Sequence, residues 1–428
     1  MAEIFWMIDI CFVTTPIPEL MDDRLEAPLG YLYLATYLKD CNSAISVEIY
    51  DICHVPETDW DFPEARWYGF TTYSTTYHRT LEIKNLLKQK YPKAKFIAGG
   101  PHASALPLEV KEDFDYVIIG EGERVLYLLI NGWISDIHIS HGDATLKLDS
   151  FPFPNYDLVD VDSYHRIVDG KRSFSILTTR GCPNKCTFCN SIIMGGRQNV
   201  RWRSPQNVID EILALKSKYG EIGIRFQDDM FGVNRKWLRD FTELIKPLNM
   251  TYRAFVRASQ CADKEFTDLL YEGGCRHIAL GIESGSDYIL DAMQKGQTVE
   301  QCRQGLYNAK ESGLIRRIYL IVGYPGETWK TVQETVDFVK ETKPDEFVVY
   351  PLIPYPGTPL YKNPDEWGLR NLDKDFTKYF QICGDKKSWF VYDLDHADRH
   401  ELQAMKDYVV SELELAQSKW AIESKDYI

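Results

Sequence analysis

Apolar runs at Ile4–Val13, Ser46–Tyr50, Trp67–Thr71, Lys95–Ala98 and Tyr116–Ile119 alternate with stretches of helical period. In Leu29–Lys39 the residues Leu29, Leu32, Tyr33, Thr36 and Tyr37 share one face, and Tyr77–Lys90 repeats that pattern. Short apolar runs bounded by turn residues read as buried strands, and strand–helix alternation implies a parallel sheet covered on both faces. The pattern therefore predicts a doubly wound, Rossmann-like domain of five strands over residues 1–135. Its strand ends carry Thr71-Thr-Tyr-Ser-Thr-Thr-Tyr77, Gly99-Gly-Pro-His-Ala103 and Gly120-Glu-Gly-Glu123. Ligands of open parallel sheets sit beyond the carboxyl ends of the strands. One such loop alone makes only a tight turn; all three together predict a ligand crevice.

Residues 136–172 break the alternation with Asp149-Ser-Phe-Pro-Phe-Pro-Asn-Tyr156, whose prolines stop helix and central strand alike, so this stretch reads as a linker. From Ser173 the alternation resumes with strand candidates at Phe174–Thr179, Gly223–Gln227, Tyr252–Val256, His277–Leu280, Ile318–Val322 and Glu346–Leu352. Helical stretches lie between them, including Gln206–Tyr219, Lys236–Pro247, Lys264–Gly273 and Val299–Gly313. Six βα units over residues 173–360 fall short of a closed eight-unit barrel and predict a partial one. Residues 361–428 form a small, mostly helical C-terminal extension that ends in a charged helix, Ala397–Ser424.

Charge narrows the function classes. The chain has 428 residues with 49 Lys and Arg against 63 Asp and Glu, a net of −14. Polyanion binders cluster Lys and Arg, so free nucleic acid is not the expected partner; a small molecule or peptide is. The first apolar run contains Asp9 and has neither a basic lead nor a cleavage site, and no segment reaches the roughly 18 apolar residues that span a bilayer. A cytoplasmic protein without membrane contact is expected.

Ten cysteines are too sparse for a disulfide scaffold. Seven are scattered, but Gly181-Cys-Pro-Asn-Lys-Cys-Thr-Phe-Cys-Asn190 sets Cys182, Cys186 and Cys189 at C-x3-C-x2-C spacing just after a strand. A redox dithiol needs only C-x-x-C. Structural zinc closes with four ligands, which here would require a distant residue such as His165 or His277. Three thiolates suit a four-iron cluster with one iron left open, and zinc stands as the main metal alternative.

These residues resemble the radical S-adenosylmethionine (SAM) superfamily, with Phe188 before the third cysteine. Further segments resemble its cobalamin-binding subfamily: Gly281-Ile-Glu-Ser-Gly-Ser286, Tyr319-Leu-Ile-Val-Gly-Tyr-Pro-Gly-Glu327, Pro354-Tyr-Pro-Gly-Thr-Pro359, and Pro28-Leu-Gly30, Gly99-Gly-Pro-His102 and Gly120-Glu-Gly-Glu123 in the first domain. The resemblance covers roughly residues 1–360.

The resemblance implies that Cys182, Cys186 and Cys189 hold a [4Fe-4S] cluster whose open iron chelates SAM, and that reduction cleaves SAM to a 5′-deoxyadenosyl radical. Phe188 matches the position against the adenine, or packs its own loop. Phe226-Gln-Asp-Asp229 departs from the family's Gly-Gly-Glu-like segment, so Asp228 or Asp229 would hold the SAM amino group. Arg257 is placed for the SAM carboxylate, or for a neighbouring acid. Glu283 and Ser284 match a position for ribose or the amino group. Val322, Gly323 and Pro325 flank adenine, although Gly323 can equally serve a turn.

In the first domain the implied cobalamin contacts are Tyr73, Ser74, Thr75, Gly100, His102, Gly120 and Glu121. The D-x-H-x-x-G signature for an axial histidine is absent, because Asp51-Ile-Cys-His54 has the wrong spacing; this implies base-off binding. The expected activity is cobalamin-dependent methylation of an unactivated carbon, in which methylcobalamin delivers the methyl group and an external flavodoxin- or ferredoxin-type donor supplies electrons. The alternatives are radical rearrangement, cyclisation or oxidation without methyl transfer, and a non-catalytic iron–sulfur or zinc protein.

Overall fold

The computed structural model describes residues 8–17, 22–134, 138–191, 200–380 and 389–423, the last six of these as backbone only. Ile4–Met7, Cys383 and Ser424 of the expected elements lie outside the described residues. The chain divides into two compact units, residues 1–166 with 190–203, and residues 167–189 with 204–428.

The first unit contains β1 (Ile8–Val13), β2 (Val47–Tyr50), β3 (Ala65–Thr71), β4 (Lys95–Gly99), β5 (Tyr116–Ile119) and β6 (Ile139–His141). They form a parallel sheet in the order β2-β1-β3-β4-β5-β6. This is the doubly wound order whose switch point, and hence ligand crevice, lies between β1 and β3. Cys11, Val13, Tyr68, Phe70, Phe96, Ala98 and Val117 are buried in the core beneath the helices. Each large apolar side chain buried there stabilises the fold by about 1.5–3 kcal/mol. A Cβ at Gly69 would stand 2.7 Å from Phe12 Cδ1, so glycine there lets β3 pass the Phe12 ring, which stacks on Tyr31.

The first unit runs past the boundary expected at residue 135. β6 adds to the sheet edge, with Val117 opposite Ile139, and the stretch read as a linker packs on the same unit. Asn155 N donates to Thr36 Oγ1, and buried Tyr156 and Phe151 anchor the proline-rich turn. A proline-rich sequence excludes helix and ladder hydrogen bonds; it does not exclude burial.

In the second unit β7 (Ile167–Val168) pairs antiparallel with β8 (Lys171–Ile176). Five more parallel strands follow: β9 (Gly223–Phe226), β10 (Thr251–Val256), β11 (Cys275–Glu283), β12 (Ile315–Val322) and β13 (Glu346–Pro351). The sheet is open, with β13 at one edge and β7 at the other, as the partial barrel requires. Helices return the chain between strands, and their ends are encoded locally. For Pro205–Tyr219, Ser204 Oγ accepts from Asn207 N, Pro205 opens the first turn, and Gly220 stops it at φ +77°. Val299–Glu311 starts with a capping box of Thr298 and Gln301. After residue 360 a short antiparallel pair, Leu369–Arg370 with Asp393–Leu394, precedes the helix Arg399–Glu423.

Candidate active site

The three cysteines lie on one loop directly beyond β8, at the carboxyl end of the half-barrel. None of the three is in a disulfide; Cys186 is buried, and Cys182 and Cys189 are half-buried. The loop is pinned from below by Thr187, whose N–H donates to Met293 O at 3.0 Å and whose hydroxyl meets Tyr324 OH at 2.7 Å. Tyr324 in turn donates to Ala292 O. Asn184 Nδ2 donates to Cys182 Sγ at 3.3 Å, and Arg257 Nη1 stands 4.0 Å from Cys186 Sγ.

Among the described residues no three His, Cys, Asp or Glu side chains are gathered closely enough to hold a metal ion, so the thiols share a loop without converging on one point. His165 faces Asp22 in the first unit at 3.0 Å, and His277 lies near the amino end of β11. The donor chemistry fits a three-thiolate cluster: soft ligands on one short loop with a guanidinium beside one of them.

Asp228, just beyond β9, is buried. Its Oδ1 accepts from the backbone N–H and hydroxyl of both Thr178 and Thr179, fixing the turn that leads into the cysteine loop. Its Oδ2 is buried and meets no hydrogen-bond donor. Burial pushes this carboxyl up to about 6 against the pull of the four donors. Asp229, the other candidate, is exposed.

Glu283 ends β11 at an irregularity of the ladder with β12 and adopts φ +69°. Such bulges re-aim a side chain. Here the carboxylate folds back to accept from Lys295 Nζ at 2.6 Å, both side chains being 9% exposed. A Cβ at Gly281 would collide with both groups. Lys295 Nζ also lies 5.6 Å from the centroid of Phe188, and its carbonyl accepts from Arg257 Nη2. Phe188, Arg257 and Glu283 are thus brought together around Lys295, a residue with no motif of its own in the sequence reading. Ser284 turns away: its Oγ meets Thr335 Oγ1 at 3.2 Å and accepts from Ser286 N, tying the loop to the helix Trp329–Thr342.

Val322 is buried at the end of β12, and Gly323 follows at φ +93°. Gly323 N donates to Glu327 Oε2 at 2.8 Å, and Gly323 O accepts from Tyr392 OH at 2.6 Å. Phe390 and Tyr392 pack where a Cβ at Gly323 would be, so this glycine serves both the turn and a close approach. Pro325 is half-buried in the same loop. Glu327 is fully buried, and burial raises its carboxyl to about 7 although Gly323 N and Thr331 Oγ1 donate to it. Glu327, Tyr324 and Thr187 sit inside quoted motifs, which were the signal for them; Tyr392 had none.

In the first unit Thr72 links two of the predicted loops, since Oγ1 donates to Gly99 O and His102 N donates to Thr72 O. His102 is buried, with Nδ1 2.9 Å from Ser74 Oγ and its ring 4.2 Å from Tyr77. Burial lowers it to about 4, so it is neutral at pH 7. Tyr73 is half-exposed at the rim and Thr75 is half-buried beside it. Gly100 (φ +90°) and Gly120 (φ +77°) make the strand-end turns, Gly120 N donating to Ser104 Oγ. Glu121 carries a different load from the one expected: it forms an ion pair with Arg201, both side chains largely covered. The carboxyl ends of β3, β4 and β5 are followed by the small residues Thr72, Gly100 and Gly120.

Sequence profiles settle the family: that of the radical SAM superfamily matches residues 176–339, and that of the B12 binding domain matches residues 25–130. The chain belongs to the radical SAM superfamily, in its cobalamin-binding branch. Among similar proteins, an uncharacterized methyltransferase, PH0819 of Pyrococcus horikoshii, is 30% identical over 390 residues, covering 83% of this chain and 82% of that one. The bacteriochlorophyllide d C-8(2)-methyltransferase of Chlorobaculum tepidum is 24% identical over 375 residues, 84% of this chain and 81% of that protein. Among solved structures, the radical SAM methyltransferase TsrM of Kitasatospora setae, with cobalamin and a [4Fe-4S] cluster bound, superposes with a TM-score of 0.66 at 19% identity, over 85% of this chain and 79% of that one. This likeness shows the shared fold. As a radical SAM enzyme with a B12 domain, the protein uses a [4Fe-4S] cluster, SAM and cobalamin. Among the described residues no helix is long and apolar enough to cross a membrane.

Proposed function

We propose that this radical SAM enzyme is a methyltransferase that acts on an unactivated carbon of a small molecule and draws electrons from an external low-potential donor. The observation that carries the reading is the pairing, in one chain, of a three-thiol loop at the mouth of a parallel half-barrel with a doubly wound B12 domain. The methyltransferase relatives that span both parts support it.

When bound, the cluster and SAM supply a hydrogen-abstracting 5′-deoxyadenosyl radical, and cobalamin supplies methyl-transfer chemistry. The chain's own residues prepare the site for this. Cys182, Cys186 and Cys189 hold the cluster, and Arg257 beside Cys186 offsets thiolate charge. Asp228 presents its Oδ2 to the SAM amino group while its other oxygen keeps the thiol loop in place. Lys295 and Glu283 present a matched cation and anion under Phe188, and Gly323, held by Tyr392, offers a close backbone approach for adenine. In the first domain Tyr73, Ser74, Thr75, Gly100, His102 and Gly120 would hold the corrinoid, with no histidine of the D-x-H-x-x-G type among them.

Anaerobic purification with cobalamin supplied should give iron–sulfur absorption and a base-off corrinoid spectrum in the same protein. Zinc in place of iron, with no corrinoid retained, would remove the reading.

A further inference from the structure

Side chains fix the cysteine loop at successive points, and one of them touches a ligand sulfur. Ahead of Cys182, Asp228 Oδ1 accepts from the backbone N–H and hydroxyl of both Thr178 and Thr179. Between Cys186 and Cys189, the Thr187 hydroxyl is tied to Met293 O and Tyr324 OH. Between Cys182 and Cys186, the exposed residues Pro183 and Lys185 flank the half-buried Asn184. Asn184 Nδ2 lies 3.3 Å from Cys182 Sγ and 3.2 Å from Met230 Sδ.

Met230 is a fixed partner. It is buried just beyond β9, between Asp228 and Phe231, whose N–H donates to Phe255 O at 2.8 Å and whose ring stacks on Phe226 at 4.7 Å. The Asn184 amide matches its two neighbours. An NH2 group carries two hydrogens, and a thiolate and a thioether are both acceptors. A flipped amide would set its carbonyl oxygen against sulfur lone pairs, so the NH2 group faces the two sulfurs. The thioether is a weak acceptor that orients the amide and adds little stability of its own. The thiolate takes the stronger, charge-assisted bond, so the consequence of this contact lies at Cys182. Arg257 Nη1 stands farther from its sulfur, 4.0 Å from Cys186 Sγ, and the same guanidinium is held by the Lys295 carbonyl.

We propose that Asn184 is a positioning residue for the iron–sulfur cluster, donating to Cys182 Sγ and thereby raising the cluster's reduction potential. The inference rests on the reading that Cys182, Cys186 and Cys189 hold that cluster. Reduction takes one electron from the external low-potential donor, makes and breaks no bond, and adds one negative charge shared by the ligand sulfurs. Hydrogen bonds to those sulfurs are among the levers that set the potential. An N–H on a sulfur stabilises the more negative, reduced state more than the oxidised one. Asn184 thus eases entry of the electron that SAM cleavage consumes.

The test is a redox titration of the anaerobically reconstituted full chain, followed by electron paramagnetic resonance with iron content measured in parallel. It compares the unaltered protein with Asn184→Leu, which removes the donor at similar volume, and Asn184→Asp, which puts a negative acceptor in its place. At a fixed ambient potential the ratio of reduced to oxidised cluster should fall about two- to tenfold in Asn184→Leu, the worth of one net hydrogen bond. It should fall further in Asn184→Asp. Equal potentials in all three proteins at full iron content overturn the proposal and leave Asn184 as a tie between the loop and Met230. If Asn184→Leu takes up no iron, Asn184→Gln decides, because it keeps the NH2 group. A filled cluster at the unaltered potential then supports the proposal, and an empty chain or a lowered potential overturns it. Failure of the unaltered chain to take up iron would instead sink the underlying reading of the cysteines, so the two failures are distinct.

Discussion

The Lys295 ammonium donates to Glu283 Oε1 at 2.6 Å while standing 5.6 Å from the Phe188 ring, so a buried ion pair is joined to the cysteine loop through one side chain. Removing one partner of a buried pair leaves an uncompensated charge, at a cost of about 3–5 kcal/mol. Lys295→Met should therefore lower unfolding stability by about that amount, and the double variant Glu283→Gln with Lys295→Met should recover part of it. Denaturant unfolding of the two variants checks this. Equal losses in both would show that the pair is not coupled.

Arg257 presents its guanidinium to the Lys295 carbonyl and toward Cys186 Sγ. Arg257→Ala should weaken SAM binding about ten- to a hundredfold, the worth of a charge-assisted hydrogen bond. Equilibrium SAM binding to the anaerobically reconstituted variant measures it, with the cluster spectrum as the control for the thiol loop.

Glu327 carries a carboxyl raised by burial to about 7, above its ordinary 4.5. A raised acid contributes stability that is fully present below the unfolded value and is lost as pH rises through the folded one. The melting temperature should thus fall between about pH 5 and 8, and Glu327→Gln should flatten that fall. Asp228, raised to about 6, adds to the same trend at slightly lower pH. Parallel pH profiles for the unaltered chain and Glu327→Gln would contradict the assignment.

Tyr392 reaches from the C-terminal extension to Gly323 O at 2.6 Å. Tyr392→Phe keeps the packing and removes the hydroxyl, a net loss of about 0.5–1.5 kcal/mol, so SAM affinity should fall at most about tenfold. An unchanged dissociation constant for SAM would reduce the extension to a structural cover.

Much of this was legible in the sequence because the signals are local. The strand–helix alternation gave both sheets, and C-x3-C-x2-C gave the thiol loop at the end of β8. What escaped depends on contacts distant in the chain. Lys295 meets Glu283 only because the ladder is irregular between Gly281 and Glu283, and a bulge has no composition of its own. Tyr392 reaches Gly323 across 69 residues. β6 was hidden because a three-residue edge strand, Ile139-Ser-His141, has too few apolar positions to show an alternating pattern. Ser284 and Glu121 were read by position alone, and the structure gives both a neighbour that occupies them.

The most direct test of the central claim is the product balance of the reconstituted enzyme under anaerobic conditions, with SAM and a low-potential reductant, with and without cobalamin. Methyl transfer predicts 5′-deoxyadenosine together with S-adenosylhomocysteine, and the second product should depend on cobalamin. With the substrate supplied, the two should form in equal amounts. 5′-Deoxyadenosine without S-adenosylhomocysteine, in the presence of retained cobalamin and converted substrate, would contradict methylation and make the enzyme a catalyst of radical rearrangement, cyclisation or oxidation.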